Sequence, residues 1–363
     1  KEHSMKKVKA ALLGLDNPHS VAHLKTLQQL PEVDSVLIWS EREELQASLE
    51  EASREKIESV GTNLTSVLTD DDVHFVITCL RNDQSADVCI RVLEAGKHVI
   101  AEKPIGLTAA EVQRVVQTAE ALGLKLGVFY GRRYIPVVCQ AKKIVEQGIL
   151  GTLISAELRM LTTQVRFRDP DYWLFKKPHS GGGMLSWLGC HYVDIIRYVS
   201  GEEIVSVSAE VATRNGEDID VEDVAVLSFR LASGAVGVLH VGYVMALSGG
   251  GYHNIGGYDT YVGLNGQGGR LHWSSDGTPS RLQVESDHPD WSAAPKRQFD
   301  YTLSSSLSYG GVHGEIFVQD FLRATWGERE VPASGKDALQ VARVVEAAYE
   351  SSESGQRVQI PTE

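Results

Sequence analysis

The sequence lacks the features that mark several large classes of protein. It contains no run of lysine and arginine, and the net charge of its 363 residues is −13. Nucleic acids and anionic membranes bind through basic patches, so neither is an expected partner. No apolar stretch approaches the length that crosses a bilayer. P-loop, G-x-S-x-G and H-E-x-x-H motifs are missing, and the histidines and acids are too scattered to predict a metal site.

Cysteine is scarce as well. The four cysteines are Cys79, Cys89, Cys139 and Cys190, and no two of them form a C-x-x-C pair. In a chain of this length they predict reduced thiols in a cytoplasmic protein rather than a disulfide framework. The first residues have no hydrophobic core of a signal peptide, and we expect Met5 to be the native start behind four residues added for expression.

The first third of the chain alternates apolar runs with helical periodicity. Strands are predicted at 8–14, 35–39, 73–79, 98–101 and 125–130, and helices at 20–30, 41–57, 109–122 and in the stretch that ends at Ala95. Continuous apolar runs are typical of strands buried on both faces, and β-α-β repetition implies a parallel sheet. Residues 5–130 are therefore predicted to form a doubly wound, Rossmann-like domain, a fold that can serve as a dinucleotide-binding domain.

Beyond residue 130 strands dominate, which predicts an α+β domain over residues 131–363. After a helix at 136–147, strands are predicted at 152–165, 204–213, 224–231, 236–244, 259–264, 270–273 and 281–285, followed by helices at 314–326 and 337–352. The strands alternate in polarity and are joined by glycine and serine turns, so they should form one antiparallel sheet. An active site is expected in the cleft between two such domains.

The first turn is an incomplete dinucleotide fingerprint. After the first strand, G-x-G-x-x-G is expected, but residues 14–20 read GLDNPHS and keep only Gly14. Asp16 places a negative charge where a diphosphate would approach. A plain strand-turn-helix without a ligand is therefore an equally open interpretation.

The helix that follows this turn can still bind an anion. Asn17 is a good N-cap and Pro18 a good first helical residue. The free N–H groups of the first helical turn and the helix dipole favour a phosphate, and His19 and Ser20 add donors.

The second strand ends at the position that reads the adenosine ribose. An acid there accepts from the 2′-hydroxyl of NAD, whereas serine with arginine would hold the 2′-phosphate of NADP. This chain has Ser40, Glu41 and Arg42 together. The choice between NAD and NADP therefore stays open, and an exposed helix start would also explain these residues.

A charged pair follows the strand at 98–101. Glu102 and Lys103 precede Pro104, at the edge of an open α/β sheet where ligands bind. A buried lysine beside an acid can act as a proton donor with a shifted pKa. A surface salt bridge of little energetic value is the alternative.

Residues 181–198 read GGGMLSWLGCHYVDIIRY and combine a glycine run with an apolar helix. Trp187, His191, Asp194 and Tyr198 fall on one helical stripe. His191 and Asp194 are either polar groups hydrogen-bonded within the core or catalytic groups that the helix presents to a cleft. The glycines allow a close approach of the backbone to a ligand or to another strand.

Several motifs in order carry a resemblance to a known family. They are Glu102-Lys103-Pro104, residues 128–134 (VFYGRRY), the Gly181-Gly182-Gly183 start with Gly189 and His191-x-x-Asp194, and residues 347–361 (AAYESSESGQRVQIP). Over nearly its whole length the chain resembles the glucose-fructose oxidoreductase and inositol dehydrogenase (Gfo/Idh/MocA) family of NAD(P)-dependent sugar dehydrogenases. The resemblance also implies a homodimer or homotetramer.

The resemblance implies roles for individual residues. Lys103 matches the lysine that contacts the reacting hydroxyl and the nicotinamide ribose, His191 the general acid/base, and Asp194 the acid one turn further on. Cofactor contacts are expected from Gly14, Asp16, Asn17, His19, Ser20, Ser40, Glu41, Arg42, Cys79, Leu80, Glu102, Lys103 and Arg132, the last paired with Arg133. Substrate contacts are expected from Trp187, His191, Asp194, Tyr134 and Trp173, and further candidates are Arg159, Arg166, Asp171, His179, Tyr243, His253 and His313.

This chain also departs from the family pattern. Trp187 stands where the family usually has an aspartate, Cys79-Leu80-Arg81 replaces T-P-N, and Gly131 replaces an asparagine. Trp187 could stack on a sugar face or pack in the core.

The expected activity is oxidation of a hydroxyl of a sugar or polyol by hydride transfer to NAD or NADP. His191 would take the hydroxyl proton, Lys103 would polarise the oxygen, and Asp194 would orient His191 or hold a neighbouring hydroxyl. Two alternatives stay open. One is a glycoside-cleaving enzyme that oxidises its substrate transiently and retains NAD. The other is a redox-silent regulator that binds a sugar or nucleotide.

Overall fold

The computed structural model describes residues 6–44, 49, 54–247 and 257–362. Its contacts divide the chain into two compact units. The first combines Lys1–Gly131 with Ser304–Leu339, and the second combines Arg132–Leu303 with Gln340–Glu363.

The first unit contains a parallel sheet of six strands in the order β3-β2-β1-β4-β5-β6. The strands are β1 (Val8–Leu13), β2 (Val33–Trp39), β3 (Ile57–Gly61), β4 (Val73–Thr78), β5 (His98–Ala101) and β6 (Leu126–Val128), with helices α1 (Ser20–Gln29), α2 (Leu64–Leu68), α3 (Asn82–Glu94) and α4 (Ala109–Leu122). β1 lies near the centre, and its side chains from Ala10 to Leu13 are fully buried because helices cover both faces of such a sheet. The predicted doubly wound fold is confirmed.

The predicted helix over 41–57 is wrong at its end. Ile57 begins β3, which pairs in parallel with β2 through Val36 and Ile57. β3 is an edge strand whose middle residues are exposed, so no apolar run marks it in the sequence. Residues 45–48 and 50–53 of the predicted helix lie outside the described residues.

The second unit is built on a sheet of nine strands in the order β14-β13-β12-β11-β7-β10-β9-β8-β15. The chain order is α5 (Pro136–Glu146), β7 (Leu153–Thr163), α6 (Lys177–Ser180), α7 (Cys190–Ser200), β8 (Ile204–Ala212), β9 (Val224–Leu231), β10 (Val236–Met245), β11 (Tyr258–Gly266), β12 (Gly269–Ser275), β13 (Arg281–Ser286) and β14 (Lys296–Asp300), and β15 (Val358–Gln359) near the carboxyl end. The sheet is mostly antiparallel, as expected, but β7 and β10 pair in parallel. β14 and β15 were not predicted because one is a polar edge strand and the other has two residues.

Two long helices close the chain, α8 (Val312–Thr325) and α9 (Gly335–Ser354). In α8, the ring of Phe317 lies 4.9 Å from that of Phe129, and the ring of Phe321 lies 6.2 Å from that of Phe75. These aromatic contacts complete the core of the first unit. The units therefore differ from the predicted ranges 5–130 and 131–363, because residues 304–339 belong with the first unit.

Candidate functional site

The first turn is fixed by a glycine that no other residue can replace without strain. Gly14 has φ +97°, and a Cβ there would lie 2.5 Å from the carbonyl oxygen of Cys79 and 2.6 Å from the Leu80 side chain. Cys79 and Leu80 follow β4 and are buried. The ends of β1 and β4 are thereby held together at the carboxyl edge, where open α/β sheets bind ligands.

The start of α1 differs from the prediction. Asn17 is not its N-cap and Pro18 is not its first residue, because the helix begins at Ser20 with His19 in the N-cap position. The Asn17 side chain instead closes its own turn, accepting from the His19 N–H at 3.0 Å. Among the described residues, the buried Asn17 Nδ2 has no hydrogen-bond partner. It is a donor suited to an acceptor on a ligand.

A buried carboxylate lies at the end of β5. Glu102 Oε1 is 2.8 Å from His23 Nε2 and 3.4 Å from His19 Nδ1, and its other oxygen accepts from the Lys103 N–H at 3.0 Å. Burial alone would raise the pKa of Glu102, but the neighbouring imidazoles hold that pKa well below its usual value. The His19 ring stacks on Tyr309, with ring centroids 4.3 Å apart. The first turn and the end of β5 are therefore tied together by one ionised carboxylate.

Lys103 itself is only 1 % exposed. The alternative of a surface salt bridge is therefore wrong, since Glu102 beside it is also buried and bound by two histidines. Lysine is almost never fully buried without a compensating interaction. Its position after β5, at the ligand-binding edge, makes it the strongest catalytic candidate in the first unit.

His19, whose side chain is 13 % exposed, predicts a pH dependence of stability. Burial lowers the pKa of His19 from 6.5 to about 4, although the neighbouring Glu102 opposes the shift. The unfolded chain therefore binds more protons between these values, and stability falls as pH falls through that window. We expect protonation of this residue to lower the free energy of unfolding by about 3 kcal/mol between pH 7 and pH 4. His19→Gln should flatten the curve of urea-unfolding free energy against pH over this range, whereas parallel curves for the two proteins would contradict the assignment.

The expected ribose-reading residues lie at the end of β2. Ser40 is fully buried, and its hydroxyl donates to the Arg42 carbonyl at 3.1 Å. Glu41 accepts from Gln84 Nε2 at 2.6 Å. The Arg42 guanidinium forms an ion pair of 2.7 Å with Asp16. The negative charge expected on the first turn is thus matched by a cation.

In the second unit, the glycines at 181–183 allow other parts of the chain to pack closely against the backbone. A Cβ on Gly182 would lie 2.1 Å from the Tyr349 hydroxyl, and one on Gly183 would lie 2.0 Å from the Glu222 carbonyl oxygen. The Glu222 carboxylate accepts from the N–H groups of Gly183 and Leu185 at 2.7 and 2.8 Å. A buried acid therefore anchors the start of the helical segment that leads to His191.

That segment begins with a π-helical turn, Leu185–Gly189, and continues as α7. The sequence gives no sign of the π turn, which changes the helical spacing that the predicted stripe assumed and which recurs at functional sites. Trp187 is 1 % exposed and packs edge-to-face on Trp173, with ring centroids 6.0 Å apart. His191 is buried at 6 % exposure. Stacking of Trp187 on a sugar stays a prediction.

Asp194 is bound to an arginine of the segment after β6. Arg133 Nη2 donates to Asp194 Oδ1 at 2.6 Å, and Arg133 Nε donates to Oδ2 at 3.0 Å. Both side chains are buried, so this bidentate pair is a strong constraint on α7. Asp194 thus positions the helix that bears His191. A direct role for Asp194 in orienting His191 stays a prediction.

The remaining candidates are spread over the second unit and α8. Arg132 lies over the Tyr192 ring at 5.8 Å, and Arg159 of β7 pairs with Asp259 of β11 at 3.0 Å. Asp171 pairs with Lys176, and Tyr243 is buried against Phe175. Tyr134 follows Arg133 in a short 3₁₀ turn, Arg166 lies over Phe167, His179 is in α6 and His313 is half-buried in α8. His253 lies outside the described residues.

Sequence reasoning missed several residues of the site. His23 and Tyr309 complete the cluster around Glu102, and Glu222 with Tyr349 holds the glycine run. Only His23 left a sign in the sequence, since it lies one helical turn after His19. The other partners are distant in sequence and become visible only in the fold.

Comparisons with known proteins identify the family. Residues 8–130 match the model "Oxidoreductase family, NAD-binding Rossmann fold", and residues 138–272 match "GFO/IDH/MocA C-terminal domain". The chain belongs to the Gfo/Idh/MocA family, whose members include sugar and polyol dehydrogenases. The predicted family and the NAD-binding Rossmann domain are confirmed.

Individual relatives are distant but cover most of the chain. Levoglucosan dehydrogenase of Pseudarthrobacter phenanthrenivorans is 27 % identical over 350 residues and covers 86 % of each chain. Inositol 2-dehydrogenase of Rhizobium meliloti is 25 % identical over 293 residues, covering 80 % of this chain and 81 % of its own. A solved structure, "Levoglucosan dehydrogenase, complex with NADH and levoglucosan", has a TM-score of 0.84 at 24 % identity over 98 % of this chain and 100 % of that one. At this identity the structural match shows the shared fold.

The described residues contain neither a membrane-spanning helix nor a metal-binding cluster. Within the described ranges, no helix has the length and apolar character needed to cross a membrane. In the same part of the chain, no group of three or more His, Cys, Asp or Glu side chains is placed to hold a metal ion.

Proposed function

We propose that this chain oxidises a secondary hydroxyl of a sugar or polyol with a nicotinamide dinucleotide. The observation that carries the proposal is the full burial of Lys103 at the carboxyl end of β5, at the edge of the sheet that also holds the first turn, where the buried Asn17 Nδ2 donates to none of the described residues. The glycine at position 14 and that donor fit a dinucleotide diphosphate at this edge. When bound, the dinucleotide supplies the hydride acceptor.

The protein's own groups supply the proton chemistry. The Lys103 ammonium donates a hydrogen bond to the substrate oxygen and stabilises negative charge on it as the O–H proton leaves. The His191 imidazole receives that proton as general base. Burial of both side chains excludes water and strengthens these interactions. The Arg133–Asp194 pair and the Glu222 anchor hold the helix that presents His191.

The substrate class is proposed from the relatives. Their names include dehydrogenases of levoglucosan, inositol and D-xylose, all of which carry several hydroxyls on a ring. Tyr134 and Trp173 stay candidates for substrate contacts. A cytoplasmic location also stays a prediction.

A substrate panel tests this activity. Purified protein is incubated with NAD or NADP and with anhydrosugars, aldoses and inositols, and formation of the reduced nicotinamide is followed by its absorbance. We expect at least one compound to give turnover. Binding of the dinucleotide without any turnover would favour a redox-silent regulator, and cleavage of a glycoside without accumulation of NADH would favour the redox-neutral enzyme.

We also propose that the chain forms a homodimer or homotetramer through the outer face of the second sheet. Val226 of β9 is 41 % exposed, and Val236 and Val238 of β10 are 48 % and 37 % exposed on the adjacent strand. Exposed apolar patches of this kind mark interfaces. Val226→Lys with Val238→Lys should halve the mass measured by light scattering, or quarter it for a tetramer. Leu122→Lys, which changes an exposed apolar residue on α4, is the control, and a wild-type monomer would contradict the proposal.

A further inference from the structure

One charge arrangement at the first turn is not explained by hydride transfer. Arg42 Nη2 lies 2.7 Å from Asp16 Oδ1, and Arg42 Nη1 lies 3.9 Å from Glu44 Oε1. The Asp16 side chain is only 4 % exposed, whereas that of Arg42 is 47 % exposed. A buried carboxylate thus holds a half-exposed guanidinium, and a second acid lies on its other side.

The parallel pairing of the two central strands creates this arrangement. Leu13 of β1 is in register with Trp39 of β2, so both strands end at the same level of the sheet. Asp16 follows β1 by three residues, and Arg42 follows β2 by three. In a G-x-G-x-x-G turn, the position of Asp16 is the second glycine. The acid therefore replaces a residue without charge and reaches across to the ribose side of the site.

The polar residues beside Arg42 offer few hydrogen-bond donors and little positive charge to a 2′-phosphate. The Ser40 hydroxyl already donates to the Arg42 carbonyl oxygen at 3.1 Å. Glu41 adds a further negative charge at this corner, where its carboxylate accepts from Gln84. Arg42 is thus paired with two acids, Asp16 and Glu44, and a third acid, Glu41, precedes it in the chain.

We infer that Asp16 sets the selectivity of this chain for NAD over NADP by neutralising Arg42. This inference rests on the proposed function, since it concerns the same dinucleotide site. The 2′-phosphate of NADP is a dianion, and it would meet a corner with excess negative charge. The ribose hydroxyls of NAD are neutral donors that carboxylates accept. The selecting acid comes from the first turn, rather than from the end of β2 as in the usual arrangement.

The test is a binding titration that needs no substrate. NADH and NADPH are titrated by nicotinamide fluorescence into the wild type, Asp16→Asn and Asp34→Asn. Asp34 is the matched control, because it is an aspartate of β2 that pairs with Lys7 at 2.8 Å on the exposed surface. We expect the wild type to bind NADH more tightly than NADPH. Asp16→Asn should lower the ratio of the NADPH dissociation constant to the NADH dissociation constant by roughly tenfold or more. Asp34→Asn should keep the wild-type ratio.

Failure of dinucleotide binding and failure of the Asp16 selectivity give different results in this titration. A wild type that binds neither nucleotide contradicts the proposed function itself. Equal or tighter binding of NADPH by the wild type, or an unchanged ratio in Asp16→Asn, overturns the inference and leaves the proposed function standing. If Asp16→Asn does not fold, Asp16→Ser replaces it, and the wild-type ratio is measured at low and high salt. Electrostatic selection requires that ratio to narrow as salt screens the charges, and a constant ratio overturns it.

Discussion

Replacing Lys103 by methionine should lower kcat/KM for the preferred substrate by about a thousandfold, or about 4 kcal/mol of transition-state stabilisation. Methionine fills nearly the same buried space as lysine but cannot donate a hydrogen bond or carry a positive charge. The positive charge of Lys103 matters most in the transition state, when negative charge develops on the substrate oxygen. The loss should therefore fall mainly on kcat, measured by initial rates of NADH formation.

A second buried lysine, at the other end of β5, supplies a matched control for this substitution. Lys97 precedes β5 and is also buried, at 3 % exposure, and its ammonium donates to the Asp70 carbonyl oxygen at 2.6 Å. Lys97→Met should reduce the free energy of unfolding without a comparable loss of kcat. Equal losses of activity in both variants, or full activity in Lys103→Met, would contradict a catalytic role for Lys103.

His191→Asn should lower kcat by a factor of about a hundred to ten thousand, the range typical of a lost general acid/base. Asparagine keeps a polar, hydrogen-bonding side chain on α7 but has no group that accepts a proton at neutral pH. The acid limb of the kcat profile against pH should therefore disappear in the variant. Dinucleotide binding should be retained, because His191 is not among the residues proposed to contact the dinucleotide.

A histidine elsewhere in the second unit controls for this change. His272 on β12 stacks on Tyr261 of the neighbouring strand β11, with ring centroids 6.0 Å apart. His272→Asn should keep the wild-type kcat and the wild-type pH profile. If His191→Asn keeps the acid limb of its pH profile, the proton acceptor is another group.

The elements that were predicted well are those specified locally. The helix predicted over 109–122 is observed as α4 with the same bounds, because Thr108 caps its start by accepting from the Glu111 N–H, and Gly123 ends it at φ +67°. β1 was predicted from a continuous apolar run that is typical of a central parallel strand. In both cases the residues that decide the structure lie inside or beside the element.

The features that were missed depend on partners distant in the chain. The edge strand β3 is formed by pairing with β2, and its exposed residues show no strand pattern of their own. His23 binds a carboxylate 79 residues away, and Arg133 binds one 61 residues away. Sequence motifs nominate Lys103 and His191 as catalytic residues, which stays a prediction. The contacts around them, such as those of Glu102 and Asp194, are visible only in the folded chain.

The proposed activity requires Lys103 and His191 to act on one substrate hydroxyl. A crystal structure of the wild type with NADH tests it most directly, because the hydride-bearing carbon of the nicotinamide marks where the substrate must lie. We predict that the Lys103 ammonium and the His191 imidazole both reach a single water or hydroxyl oxygen beside that carbon. A structure in which either side chain points away from it, or in which NADH binds away from the turn at Gly14, would contradict the account.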